Sequence, residues 1–442
     1  MSCMGSWGSF RLREDLSLCS RGYDSGVAPL GVGSSAQLKI LFVINDLYTR
    51  GNGLAASARR TIMLLRERGH DVRVLSTPPS HGDDCGVGVP DYPLPHLRIP
   101  LVAPLIASQG YAFARSDRRQ IDRALDWADV GHLEEPFMLQ AIVARRARAR
   151  GVPALATYHI HPENLTASVY LDRCTVLNRA ILQVWKRFVF DRCGALQCPS
   201  PSVWRRASSL RLSARPFVLS NGVPLDDVRA DGGGRGDGLP IVRLLSVGRF
   251  SREKDQVMIL RALRFSSHAR SIELTLAGRG PTERRLRKLS DRLVRDGVIE
   301  RPVCFVFMGP EEMARASREA DLYVHAARIE VEGLGALEVL RHGVVPVLAR
   351  GPLAATSQFA LSEESVFEAG DPRSLARTID GWVDRGSEDR LIEAARYRRV
   401  EAQYDIRSCV GELERVYRWL VAGGEFPGQE PDSMGGIYSV AR

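Results

Sequence analysis

A chain of 442 residues is longer than one hydrophobic core usually supports, so two domains are expected. Hydrophobic residues at 44% and charged residues at 26% exclude a disordered or fibrous protein, and no apolar run is long enough to span a bilayer. The net charge of +9 is uneven: residues 39–220 hold 25 Lys/Arg against 15 Asp/Glu, whereas residues 221–442 hold 33 against 34.

That excess either faces an anionic surface or ligand from the first half, or is arginine decoration of solvent faces. Residues 1–37 read as a flexible N-terminal extension, or as a start placed too early, because Gly, Ser and charge are scattered there without an apolar stretch behind a basic start. The eight cysteines form no CxxC pair, which suits reduced thiols in a cytoplasmic protein rather than zinc ligands.

In chain order, LKILFVI at 38–44 has the pattern of a buried parallel strand. It breaks at Gly51-Asn-Gly53, and a helix is expected over 55–68, with Gly69 at its stop and a strand at 72–75. Strand, glycine turn, helix and strand open a doubly wound α/β sheet. A strand at 154–158 feeds a polar loop from His159 to Asn164, and a long aromatic-rich helix covers 169–191. The same grammar restarts in the second half. Strands are expected at 241–247, 272–277, 303–308, 322–325 and 344–349, with a helix at 255–263. The glycine-rich run 231–238 has little to bury and suits an exposed connection. The expected organisation is therefore an acceptor domain at 38–220, a donor domain at 221–403, a helix at 404–423 free to pack on either half, and a flexible tail at 424–442.

Two such domains leave a cleft at the carboxyl ends of their strands, where ligands of open α/β sheets bind. Three groups of residues point to it. Gly248-Arg-Phe-Ser-Arg-Glu-Lys254 lies between a strand and a helix, and the cations Arg249 and Lys254 there match a diphosphate; alone it reads equally as a solvated basic turn. Glu330-Val-Glu-Gly-Leu-Gly-Ala-Leu-Glu338 carries two glutamates eight positions apart, and Gly333 and Gly335, on either side of Leu334, permit close backbone approach. Glu338 belongs on the first turn of the following helix, where it suits a ribose diol, while Glu330 suits sugar hydroxyls. Surface glutamates would show the same spacing. Gly51-Asn-Gly53 and His159 complete the set, the glycines against phosphate and the imidazole against sugar hydroxyls, although a lone loop histidine is more often structural.

Together these residues resemble the family-4 retaining glycosyltransferases. The marks are a glycine loop at Gly53, a strand-ending His159, the G-R-x(4)-K segment from Gly248 to Lys254, and the E-x(7)-E segment from Glu330 to Glu338. The resemblance implies the GT-B architecture of two Rossmann-like, doubly wound α/β domains with an interdomain cleft. A narrower likeness joins Glu134-Glu-Pro-Phe137, His159-Ile-His-Pro-Glu-Asn164, Gln109-Gly-Tyr-Ala-Phe113 and Gln358-Phe-Ala-Leu361 to the bacterial UDP-glucose:diacylglycerol 3-glucosyltransferase-like subgroup. Glu332 departs from the wider family, where an aromatic is usual; the subgroup tolerates an acidic residue.

What the resemblance implies is retaining transfer of a hexose, glucose in this subgroup, from a UDP-sugar to a hydroxyl of a membrane lipid. Substitution would occur on one face without a covalent enzyme intermediate, the leaving diphosphate taking the acceptor proton. Arg249 and Lys254 would stabilise charge on that diphosphate. Glu330 and His159 would orient the sugar, Glu338 would hold the ribose, Gly248, Gly333, Leu334 and Gly335 would line the donor, and Met308 would reach the base pocket. No Asp-x-Asp motif accompanies the site, so neither a metal nor a separate cofactor is expected. The expected partners are a nucleotide-sugar donor and an anionic membrane surface carrying the lipid acceptor, with the protein peripheral on the inner face of the cell membrane. Residues 184–190 and the apolar loop 102–107 are candidates for that surface; the aromatics of the first of them would equally fill a core. Three rivals remain. A transferase for envelope polysaccharide or another glycolipid would use a different nucleotide sugar. A sugar-nucleotide epimerase would share the fold but lack the two paired motifs. A basic nucleic-acid binder would explain the charge, but no recognisable module for it is present.

Overall fold

A computed structural model of the chain describes residues 36–49, 51–79, 84–97, 112–225 and 241–431, the side chains of 398–402 apart. The apolar runs form two fully parallel sheets. The first contains β1 (Lys39–Val43), β2 (Asp71–Ser76), β3 (Tyr92–Pro93), β4 (Val130–Leu133), β5 (Ala154–Thr157), β6 (Ala195–Cys198) and β7 (Arg215–Val218), in the order β3-β2-β1-β4-β5-β6-β7. The second contains β8 (Val242–Val247), β9 (Ile272–Ala277), β10 (Cys304–Val306), β11 (Leu322–His325), β12 (Val345–Arg350) and β13 (Val366–Glu368), in the order β10-β9-β8-β11-β12-β13. In each sheet the winding reverses beside the first strand, between β1 and β4 and between β8 and β11. Those two switch points are where a doubly wound sheet opens a ligand crevice.

Helices cover both faces because the strands are apolar on both sides. Ile40, Phe42 and Ile44 point to one face of β1 and Leu41 and Val43 to the other, and each set joins a separate buried cluster. The chain crosses between the halves twice. The outgoing segment after β7 and the returning segment near 405 lie side by side: Val223 N–H donates to Tyr404 O at 2.9 Å and Ile406 N–H donates to Val223 O at 3.1 Å. Gly222, at φ +72°, makes this approach possible, since a Cβ there would sit 2.6 Å from Ile406 Cα.

The last helix, Ile406–Ala422, returns to the first sheet. Asp405 caps it through Ser408 N–H, and Ile406, Val410, Leu413, Val416 and Tyr417 bury against Ile40, Phe42, Ile62 and Leu65. Residues 424–431 depart from the expected loose tail. Val218 N–H donates to Gln429 O at 2.9 Å, and Phe426 stands edge-on to both Phe217 and Trp419. A backbone hydrogen bond and two aromatic contacts hold them to the sheet edge. Residues 1–35, 102–107, 109–111, 231–238 and 432–442, for which the sequence also carries expectations, lie outside the described residues. The helix expected over 169–191 is shorter, Thr175–Phe188, followed by a short 3-10 turn at Phe190–Arg192, and a separate helix, Pro162–Ala167, begins within the expected polar loop.

Candidate active site

The turn after β8 carries the first motif. Gly248 leaves the strand at φ +145°, and Asp255 stands in the left-handed region at φ +49° before the helix Gln256–Ala262. The turn is laced to the one after β9. Phe250 N–H donates to Arg279 O and Thr282 N–H to Phe250 O. Gly278 and Gly280 are required for this: a Cβ on either would lie 2.0 Å from Gly248 O or 2.3 Å from Phe250 O. This lacing fixes the base of Arg249, whose Nη2 lies 2.6 Å from Glu253, a carboxylate that also accepts from Ser251 Oγ.

Lys254 meets Glu330 in an ion pair, so the two motifs do converge, at the carboxyl ends of β8 and β11. His325 Nε2, at the end of β11, approaches the same carboxylate at 3.4 Å. Burial opposes charge on Glu330, but the Lys254 ammonium and His325 outweigh it and hold the carboxyl well below its ordinary range. Glu330 is therefore a carboxylate at neutral pH.

Gly333 begins the helix Leu334–Leu340 at φ +99°, and a Cβ there would meet Thr356 Cγ2 at 2.4 Å. The helix starts at Leu334, so Glu338 lies in its second turn rather than the first. It pairs across the cleft with Arg60 of the helix Gly53–Glu67, at 2.9 Å. Met308 is partly buried against the cluster containing Leu245 and Tyr323, whereas its neighbour Phe307 is exposed beneath the Arg279 guanidinium at 4.4 Å.

On the first-half side, His159 follows β5 and its Nε2 lies 2.6 Å from buried Glu134, at the end of β4. Burial opposes charge on Glu134, yet His132 and His159 keep its carboxyl below the ordinary value. The next residue, Glu135, is pushed up to about 7 by burial, against hydrogen bonds from Asn45 and Gln140. Gly53 opens its helix beside Asn52, whose side chain accepts from Leu54 and Ala55 N–H. Those two amides are thus already engaged.

Further contacts tie the halves together. Asp172, buried before the helix Thr175–Phe188, pairs with Arg252 at 3.1 Å and Arg328 at 3.4 Å. Asn164 Nδ2 donates to Ile329 O at 3.5 Å. Of these partners, His325, Arg60 and Asp172 lie outside the quoted motifs, whereas Glu253 lies within Gly248–Lys254 and Glu134 within Glu134-Glu-Pro-Phe137.

Two cations and a fixed carboxylate thus stand at the switch point of the second sheet, and an imidazole held by a carboxylate follows a strand of the first. The set can neutralise a diphosphate on one side and hydrogen-bond a polyhydroxyl group on the other. The family profile described as Glycosyltransferase Family 4 matches residues 51–227, and that described as Glycosyl transferases group 1 matches residues 242–398. The alpha-monoglucosyldiacylglycerol synthase of Streptococcus pneumoniae is 27% identical over 337 residues, covering 71% of each chain. Among solved structures, sucrose-phosphate synthase from Thermosynechococcus elongatus aligns with a TM-score of 0.64 at 18% identity, covering 88% of this chain and 100% of the other. HepE from Anabaena, in complex with UDP-glucose, aligns with a TM-score of 0.63 at 15% identity, covering 86% and 99%. These two establish likeness of fold.

Proposed function

We propose, for a chain that belongs to the family-4 glycosyltransferases of GT-B architecture, that the hexosyl group it transfers is glucose, taken from UDP-glucose and delivered with retention to a hydroxyl of a membrane lipid such as diacylglycerol. The observation that carries the donor side is the convergence of Arg249, Lys254 and Glu330 at the switch point of the second sheet. Arg249 and Lys254 take the diphosphate, exchanging part of their bonding to Glu253 and Glu330 for phosphate oxygens. Charge grows on those oxygens as the glycosidic bond breaks, so cations held in place lower the barrier. Glu330 and His159 orient the sugar, and Glu338 turns from Arg60 to the ribose. The acceptor attacks on the face the diphosphate leaves, and a diphosphate oxygen takes its proton. No divalent metal is needed, because the two cations supply the charge; chelator should leave the rate unchanged.

The acceptor side rests on two supports. One is the name of the pneumococcal relative. The other is the outer face of the helix Thr175–Phe188, where Val176, Val184 and Phe188 are exposed among Arg179 and Arg187, while Trp185 and Phe190 fill the core. An apolar and basic face of this kind suits an anionic bilayer. Among the described residues no helix is long and apolar enough to cross a membrane.

The test is a screen of UDP- and GDP-hexoses against diacylglycerol and envelope lipid extracts, reading nucleotide release and the anomer of the product. Release of UDP with formation of an α-glucosyl lipid is expected. Release of GDP, an inverted product or a soluble acceptor would overturn the corresponding part.

A further inference from the structure

Glu332 stands between Glu330 and Gly333, is 2% exposed, and accepts from three groups of the crossing segment after β7: Ser220 Oγ, Asn221 N–H at 3.0 Å and Asn221 Nδ2. An ionised carboxylate can only accept, so it dictates which way the Asn221 amide points. Asn221 Oδ1 is then turned to Gln197 Nε2 at 3.4 Å, and the same nitrogen donates to Leu219 O at 3.0 Å. Gln197 Oε1 must therefore accept, and takes the single hydroxyl hydrogen of Thr157 at 3.1 Å. Thr157 Oγ1 accepts in turn from His132 Nε2 at 2.7 Å, which leaves His132 Nδ1 to accept from Tyr417 Oη at 2.5 Å. Every link is a side chain on β4, β5, β6, the crossing segment or the last helix, and His132, Thr157 and Gln197 are each no more than 3% exposed.

We infer that Glu332 is a positioning residue: one directed chain of buried hydrogen bonds fastens the loop Glu330–Gly333 to the carboxyl edge of the first sheet, and its polarity sets the tautomer of His132 in the other half. The inference rests on the reading of this loop as the donor loop only for its effect on catalysis. Loop and sheet are joined whatever the ligand. Burial pushes the Glu332 carboxyl up to about 7, against the hydrogen bonds of Ser220 and Asn221, so the carboxylate form depends on those donors being in place. Gln358 Nε2 holds the other side of the loop through Glu332 O at 3.3 Å. With both sides held, Glu330 is delivered to Lys254 from a fixed base.

The polarity makes an unusual rescue possible. In Glu332→Gln the new amide nitrogen meets the Asn221 amide nitrogen, and flipping Asn221 only moves the donor–donor conflict to Gln197, which Leu219 O holds. In Asn221→Asp two carboxylates face each other. In the double variant the introduced glutamine amide donates to the introduced aspartate. Ser220 Oγ and the backbone N–H of residue 221 still have an acceptor, and the aspartate still accepts from Gln197 Nε2. Each single variant of the full chain is expected to lower the melting temperature and raise the donor KM tenfold or more with the acceptor KM unchanged. The double variant is expected to return the donor KM to within about threefold of wild type and to restore most of the lost melting temperature. Nitrogen NMR of His132 reads the chain directly: the Nε2–H tautomer in wild type and in the double variant. A Glu332→Gln protein with wild-type donor KM and melting temperature, or a double variant no better than the worse single one, overturns the inference. Rescue of stability in a protein that binds no nucleotide sugar would instead refute the donor reading and leave the tie standing.

Discussion

Lys254→Met separates what the Lys254–Glu330 pair does for stability from what it does for the reaction. The Lys254 side chain is 25% exposed and that of Glu330 11% exposed, so removing the cation leaves a largely buried charge beside His325 at 3.4 Å. Breaking a fully buried pair costs about 3–5 kcal/mol; with a quarter of Lys254 in water the expectation here is about 2–3 kcal/mol. The same change withdraws one of two cations from the leaving diphosphate, which corresponds to a loss of about 10²–10³ in kcat. Replacing both partners, as Lys254→Met with Glu330→Gln, removes the orphaned charge as well. Stability should then return to within about 1 kcal/mol of wild type, because an uncharged pair of similar volume carries no desolvation penalty. Activity should not return. Urea unfolding followed by circular dichroism gives the first quantity and nucleotide release gives the second. A Lys254→Met protein that loses stability but keeps its kcat, or a double variant that recovers turnover, would refute the assignment of Lys254 to the diphosphate.

Other outcomes follow from the same geometry. Gly278→Ala places a Cβ 2.0 Å from Gly248 O, so the two turns must separate; a cost of about 1–3 kcal/mol and a raised donor KM are expected, and an unchanged melting curve would count against the lacing. Stability should fall steadily from pH 6.5 to 4.5. Burial lowers His132 and His342 to about 4 and His161 to about 3, so each loses about 1.4 kcal/mol of stability per pH unit as the pH falls below 6.5. Glu135 and Glu332, raised to about 7, each gain a similar amount over the range between 7 and 4.5, since the folded state binds their protons first, which leaves a net loss of about 1.4 kcal/mol per unit. His70 and His325, lowered in the same direction, add to it. Below 4.5 the compensation ends and the stability drawn from the Glu330 carboxylate begins to be lost, so unfolding should steepen; a flat or rising stability between 6.5 and 5 in urea titrations would contradict these environments. Val184→Asp with Phe188→Asp, both at exposed positions, should abolish co-sedimentation with phosphatidylglycerol vesicles at low salt and leave the melting temperature unchanged; unaltered binding would remove this helix from the acceptor face.

The long buried strands were legible because β1 and β12 are nearly continuous apolar runs, and β8 and β9 place apolar residues at strand spacing around Arg243, Glu273 and Thr275. Strands β4 and β6 were not, since Val-Gly-His-Leu and Ala-Leu-Gln-Cys carry His132 and Gln197, polar side chains whose burial is compensated by hydrogen bonds to Thr157 Oγ1 between them. The site divides in the same way. Arg249, Lys254, Glu330 and Glu338 stand in two short motifs at fixed spacing, and those motifs do meet at one switch point. Other groups that hold the site come from elsewhere: Glu134, the partner of His159, lies 25 positions before it, and Arg60 lies 278 before Glu338. A hydrogen bond between residues so far apart leaves no periodicity to read. Glu332 looked like a departure from pattern, and its meaning became visible only with the crossing segment beside it.

The return of the last helix to the first sheet also bears on how the protein is made. Ile406, Val410, Leu413 and Tyr417 supply part of the core around β1, yet they are synthesised after the whole of the second sheet. At about 5–20 residues per second, roughly 10–40 s separate completion of β7 from emergence of that helix. Through that interval Ile40, Phe42 and Ile62 wait with one side uncovered. The second sheet, β8 to β13, is continuous in sequence and can close first. Assembly thus runs against the order of synthesis, and the earliest-made half is the last to be finished.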